Sequence, residues 1–269
     1  MTNKRLAVIG GGQMGRALVG GMLASNVIAA GDIRLVEPSD ESRKWWTDNQ
    51  SGVVITDIAE AVAEADLVLL AVKPNIIPVV ANQDAGFWKG KLIISIAAGI
   101  SLPQLCGWIG HSRVVRVMPN TPSLVGAGAS AFCCGDDVSA ADKAWIDSML
   151  GSVGLAVEVA ESQMDAVTGL SVSGPAYVCM MIEALADGGV QEGLPRPLAM
   201  QLATQTVLGT AKMIAETKRH PGELKDAVAS PGGTTIAAIA VLEQNGVRGA
   251  LAQAVAAAAR RSRELSLKD

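Results

Sequence analysis

Residues 10–15 read Gly10-Gly11-Gly12-Gln13-Met14-Gly15 and constrain this chain more than any other stretch. The pattern is G-x-G-x-x-G. It follows Arg5-Leu6-Ala7-Val8-Ile9, a short apolar run, and precedes residues 16–23, whose apolar positions recur at helical spacing. Strand, glycine turn, helix is the context in which the pattern specifies a dinucleotide site. Gly10 permits the tight turn, Gly12 lets the backbone approach a pyrophosphate, and Gly15 lets helix and strand pack closely. Gln13 and Met14 open the helix, whose N-terminal N–H groups and dipole favour phosphate.

The residues that follow extend this unit into a doubly wound, mostly parallel sheet. Apolar runs predict strands at 33–36, 53–55, 67–72, 92–96, 114–118, 129–134 and 156–159. Glu37 ends the second strand about 20 positions beyond the glycines, where an acid receives ribose hydroxyls. Asp57 with Glu60, and Ser101 with Gln104, are helix-start signals. Val72-Lys73-Pro74 and Ala97-Ala98-Gly99 leave the fourth and fifth strands at carboxyl ends, where open α/β sheets bind ligands. The small residues at 97–99 let a flat ring approach the backbone. Asn120 and Thr121 lie between Pro119 and Pro122, so their polar groups are held rigidly.

Beyond about residue 161 strand signals vanish and alanine-rich helical segments take over. This predicts a dinucleotide-binding domain over 1–161 and a helical domain over 162–269. Helices are expected near 178–190, 195–218, 234–244 and 247–263. They are apolar on most sides, which implies burial against a second subunit. Two segments, 168–177 and 230–235, combine glycines, prolines and small hydroxyl residues ahead of helices. Each reads as a nest of N–H donors for an anion, with Ser173, Ser230, Gly232, Gly233, Thr234 and Thr235 as candidate substrate ligands beside Asn120.

Composition sets limits. Of 269 residues, 49% are hydrophobic but only 3% aromatic, so the core is built from aliphatic side chains. A net charge of −4 argues against nucleic acid as a partner. Four cysteines without C-x-x-C spacing and only two histidines give no metal cluster. Reduced, buried thiols in a cytoplasmic protein are expected. The N-terminal apolar run is too short for a signal peptide. No uninterrupted apolar run approaches a membrane span, so no membrane partner is expected.

The chain resembles the pyrroline-5-carboxylate reductases. Residues 9–15, 71–74, 95–99, 118–122, 173–177, 183–189, 220–226 and 230–235 carry the resemblance, in order, over essentially the whole length. It implies a Rossmann domain, a helical dimerisation domain, assembly into dimers or rings of dimers, and reduction of 1-pyrroline-5-carboxylate to L-proline with NAD(P)H. It also implies that Thr168 lies near the imine nitrogen and that Ser230 and Thr235 help hold the substrate carboxylate. The family mostly uses NADPH and often carries a small hydroxyl residue where this chain has Glu37. Both cofactors are therefore expected to serve, NADPH first by resemblance, with Ser39, Arg43 and Lys44 receiving its phosphate if Glu37 turns away.

The chemistry agrees. A protonated cyclic imine is already electrophilic, so orientation supplies most of the catalysis and a strong acid is not obligatory. Thr168 can position a proton or water at nitrogen. A 3-hydroxyacid dehydrogenase shares the two-domain plan but needs a lysine early in the helical half. No lysine occurs between Lys143 and Lys212, and Tyr177 and Val178 stand where it would be sought. A non-catalytic nucleotide sensor would need a recognition helix, basic patch or tail, none of which the sequence offers.

Overall fold

In a computed structural model, which describes residues 4–82 and 86–266, eight strands form one sheet. They are β1 (Leu6–Ile9), β2 (Ile33–Val36), β3 (Val54–Ile55), β4 (Leu67–Leu70), β5 (Leu92–Ser95), β6 (Val114–Met118), β7 (Gly128–Cys134) and β8 (Gly154–Glu158). Their order is β3-β2-β1-β4-β5-β6-β7-β8. All neighbours are parallel except β6 and β7. The connection over 119–127 is too short for a crossover, which needs a dozen residues or more, so β7 returns antiparallel. Helices α1 (Gln13–Ala24), α2 (Asp40–Asn49), α3 (Ile58–Glu64), α4 (Ile77–Ala81), α5 (Leu102–Ile109) and α6 (Ala140–Gly151) connect the strands.

The central strands β1 and β4 are apolar at every position because both faces are covered. Leu6, Val8, Leu67 and Leu69 enter the core on one face with Leu18, Met22 and Trp46. Ala7, Ile9, Val68 and Leu70 enter the core on the other with Ile77, Trp88 and Leu105. Capping fixes the helix starts. Asp57 accepts from Glu60 N–H, and Ser101 with Gln104 forms a reciprocal box.

A largely buried ion pair ties α6 to the residue that precedes β6. Asp142 is 1% exposed. It accepts from Arg113 Nη2 (2.8 Å), Arg113 Nε (3.0 Å) and the Ser139 hydroxyl (2.8 Å). Burial works against its charge, but Arg113 and Ser139 hold the carboxyl well below the usual carboxylate range. Asp142→Asn is expected to cost about 2–3 kcal/mol at neutral pH, measured by urea unfolding. Because the folded value is depressed, the pair stabilises fully above the ordinary Asp value of about 3.9. That stabilisation fades as pH falls through the folded value. The difference between wild type and variant should thus be constant from pH 7 to about 5 and shrink in stronger acid.

The chain divides into two compact units, 1–172 with 258–269, and 173–257. The texture of the sequence changes nearer residue 162. The intervening α7 (Met164–Val167) and a π-helical turn (Thr168–Val172) belong with the sheet, because Met164, Val167 and Val172 pack on Met118, Ala131 and Cys133. Arg116, 3% exposed, bonds Glu161 at 2.6 Å, and Cys133 donates to the same carboxylate at 2.8 Å. Ser262 donates to Asp165 at 2.6 Å, which places the end of the last helix with this unit.

The second unit contains α8 (Gly174–Gln191), α9 (Arg196–Thr217), α10 (Pro221–Ala227), α11 (Thr234–Gln244) and the first part of α12 (Val247–Ser266). α8 and α9 pack through Ala186, Ala199 and Ala203, with Gly189 allowing close approach to Ala199. Leu185, Leu202, Leu208, Val241 and Leu242 are each at least half exposed. The helical run Glu161–Gln191 is long and apolar enough by composition to cross a membrane. No uninterrupted apolar run marks it in the sequence, because Ser, Gly, Glu and Asp punctuate it.

All four cysteines are free. The expectation that they are buried holds for Cys133 alone; Cys106 and Cys134 are half-buried and Cys179 is exposed. Burial, then Glu161, pushes the Cys133 thiol far up; burial, then Glu158, pushes Cys134 up to about 11. Among the described residues no cluster could hold a metal ion.

Candidate active site

The connection from β1 runs to β2 on one side, and that from β4 runs to β5 on the other. A crevice opens between the carboxyl ends of β1 and β4, the place where such sheets bind dinucleotides. The glycine loop lies there. Gly10 leaves β1 with φ +105, and a Cβ on it would lie 2.7 Å from the Ala71 carbonyl oxygen. A Cβ on Gly15 would lie 2.8 Å from the Gly10 carbonyl oxygen. Gly12 differs: nothing stands within 4 Å of its Cβ position. It is the N-cap of α1, and no side chain accepts from the first turn. The loop is thus closed against the sheet at Gly10 and Gly15 and open at Gly12. An open backbone edge at a helix N-terminus fits a pyrophosphate. Gln13 is exposed beside it, and Met14 is half-buried against the core.

The fourth glycine, Gly11, carries a function that spacing alone does not reveal. Its N–H donates to Glu37 Oε2 at 2.7 Å. Its carbonyl accepts from Trp46 Nε1 (3.0 Å), Arg16 Nε (3.1 Å) and the Ser42 hydroxyl (3.1 Å). The Arg16 guanidinium lies 4.2 Å over the Trp45 ring. A Cβ on Gly11 would lie 2.4 Å from Trp46 Nε1. Adjacent tryptophans in an otherwise polar α2 were the available signal. Glu37 is 8% exposed, and its second oxygen accepts from Ser39 N–H at 2.9 Å. The Ser39 hydroxyl caps α2 by accepting from Ser42 N–H.

At the next strand exit, β4 stops at Leu70, short of the expected 72. Ala71 N–H still reaches the Ile9 carbonyl. Val72 packs partly on the core, while Lys73 and Pro74 are exposed. At the β5 exit the Ala97 side chain is core, Ala98 is exposed and Gly99 is half-exposed. Asn120 is 7% exposed and is a brace: Nδ2 donates to the Ser171 carbonyl (3.1 Å), and Oδ1 accepts from Ala129 N–H (2.9 Å). Thr168 is half-buried, and its hydroxyl donates to the Met164 carbonyl at 2.9 Å.

One expected anion nest is corrected. Residues 168–177 run helix into helix through the π-helical turn, with Ser173 itself in helical geometry. Their N–H groups are drawn into helical bonding, because Gly169 and Gly174 adopt no positive φ. A π turn widens a helix by one residue and frequently marks a functional site. The second nest is a genuine turn in the helical unit. Gly232 has φ +69, and Gly233 is the N-cap of α11 without a side-chain cap. Gly233 N–H closes the turn onto the Ser230 carbonyl (3.0 Å), so it does not converge with its neighbours as expected. Thr234 and Thr235 supply the first N–H groups of α11.

Comparison with known proteins agrees at both ends of the chain. A family model for pyrroline-5-carboxylate reductase dimerisation matches residues 161–265, and one for coenzyme F420-dependent NADP oxidoreductases matches residues 5–99. A pyrroline-5-carboxylate reductase from Synechocystis is 47% identical over 264 residues, covering 98% of this chain and 99% of the relative. The chain belongs to the pyrroline-5-carboxylate reductase family. The Escherichia coli reductase is 42% identical, with 98% of each chain covered. Among solved structures, the Coxiella burnetii reductase superposes with a TM-score of 0.93 at 37% identity, covering 98% of this chain and 99% of that one. The Plasmodium falciparum reductase, solved with NADP bound, gives 0.86 at 33% identity, covering 99% of each. As a member of this reductase family the chain is an NAD(P)H-dependent oxidoreductase with a self-association domain. The exposed apolar side chains of α8, α9 and α11 suit that domain.

Proposed function

We propose that the chain reduces 1-pyrroline-5-carboxylate to L-proline with NAD(P)H, the last step of proline biosynthesis. The match to reductases of that name over nearly its whole length carries this reading. The open edge at Gly12 supports it, because the residues present fit a pyrophosphate. The nicotinamide, when bound, supplies a hydride. The protein's part is to orient the imine and hold its charges. Thr168 donates its own proton to the Met164 carbonyl, so toward a ligand its oxygen is an acceptor. In that role it receives the N–H of a protonated imine and favours the electrophilic form. The Ser230–Thr235 turn is assigned to the substrate carboxylate, with Ser173, at the start of α8, as a further candidate ligand.

In the same proposal, residues 1–161 form the dinucleotide-binding domain and 162–269 the substrate-binding and dimerisation domain. Dimers and rings of dimers follow from the family resemblance, and a cytoplasmic location from cysteines read as reduced thiols. The test is absorbance at the nicotinamide band with the five-membered imino acid and, separately, a 3-hydroxyacid with oxidised cofactor. Turnover of the imino acid alone is expected. Turnover of the hydroxyacid alone would overturn the proposal.

A further inference from the structure

We infer that Glu37 excludes the 2′-phosphate of NADPH and makes NADH the preferred cofactor of this chain, an inference that rests on the dinucleotide reading above. An acid at the end of β2 admits a phosphate only if its side chain swings away and neighbouring donors take its place. The structure works against both routes.

The Glu37 carboxylate is held at each oxygen by a backbone donor, Gly11 N–H at 2.7 Å and Ser39 N–H at 2.9 Å. It is 8% exposed, and Trp46, 1% exposed, packs beside it against Gly11. Turning outward would leave the Gly11 N–H without its acceptor in a buried place, which native structures avoid, and would break the Ser39 bond as well. Gly11 belongs to the phosphate-binding loop itself, so the same bond that fixes Glu37 also fixes the loop.

The candidate replacements each hold a bond already. Ser39 gives its N–H to Glu37 and its hydroxyl oxygen to the cap of α2. Arg43 Nε donates to the Glu37 carbonyl at 2.5 Å. Lys44 pairs with Asp48 at 2.8 Å. Arg16 bonds the Gly11 carbonyl and Ser42. The first turn of α2 adds Asp40 and Glu41, two further carboxylates. A carboxylate has about four lone-pair sites, and two are used here. The remainder can accept ribose hydroxyls, whereas a phosphate would meet like charge in a half-buried setting.

The test is isothermal titration of the full chain with NADH and with NADPH, without imino acid, for wild type, Glu37→Gln and Glu37→Ser. Wild type is expected to bind NADH at least tenfold more tightly. In both variants that ratio should fall about tenfold, through tighter NADPH binding. A wild type that binds NADPH as tightly as NADH overturns the inference. So does an equal loss of both affinities in folded variants, which would make Glu37 only a brace for Gly11. The wild-type ratio decides alone if thermal melts show both variants unfolded. Binding of neither nucleotide would overturn the dinucleotide reading itself, while the imino acid assay reports on the substrate independently.

Discussion

Gly12→Val is expected to abolish dinucleotide binding while leaving the fold nearly intact. The Cβ position has nothing within 4 Å, and φ −70 with ψ −176 is extended backbone open to any residue. The cost to the folded chain is that of a poorer N-cap, about 1 kcal/mol. The cost to the nucleotide is larger, because the valine fills the edge at which a pyrophosphate meets the first N–H groups of α1. Losing two charge-assisted bonds, each worth about 1.5–3 kcal/mol, weakens binding by a factor of at least about 100. Titration calorimetry reads the affinity and thermal denaturation reads the fold. A variant that is stable and still binds at wild-type strength would place the phosphates elsewhere.

Thr235→Val is expected to raise KM for the imino acid by about tenfold or more, with nucleotide affinity unchanged. Thr235 lies in the first turn of α11, whose N-cap, Gly233, offers no side-chain acceptor. The turn before it is closed by Gly233 N–H on the Ser230 carbonyl. In the proposed role the Thr235 hydroxyl binds the substrate carboxylate, and valine keeps its shape without that donor. Steady-state kinetics with a calorimetric check on NADH separates the outcomes. A drop in melting temperature with unchanged KM would make Thr235 a structural residue only.

The sheet was legible because its central strands are mostly apolar runs, unbroken in β1 and β4, followed by a glycine, proline or small-residue exit. The capping boxes at Ser101 and Ser139 show equally local rules at work. What failed to show in the sequence depends on side-chain direction or tertiary contact. Spacing puts Glu37 at the ribose position, but not its turn onto Gly11 and Ser39. Asn120 reads as a ligand from its two prolines, whereas its amide is spent on Ser171 and Ala129. The 168–177 segment has the composition of a turn, yet helices on both sides draw it into a π-helical turn. α4 and α10 are too short for periodicity to announce them.

A nicotinamide hydride is expected to reach the carbon of a cyclic C=N bond. Deuterium transfer tests it most directly. NADH carrying deuterium at C4, on one face and then on the other, is incubated with the enzyme and 1-pyrroline-5-carboxylate. The product is examined by mass spectrometry. L-proline with a single deuterium, from one face only, on the ring carbon of the former C=N bond is the expected product. Proline without deuterium from either face, or no proline at all, would contradict it.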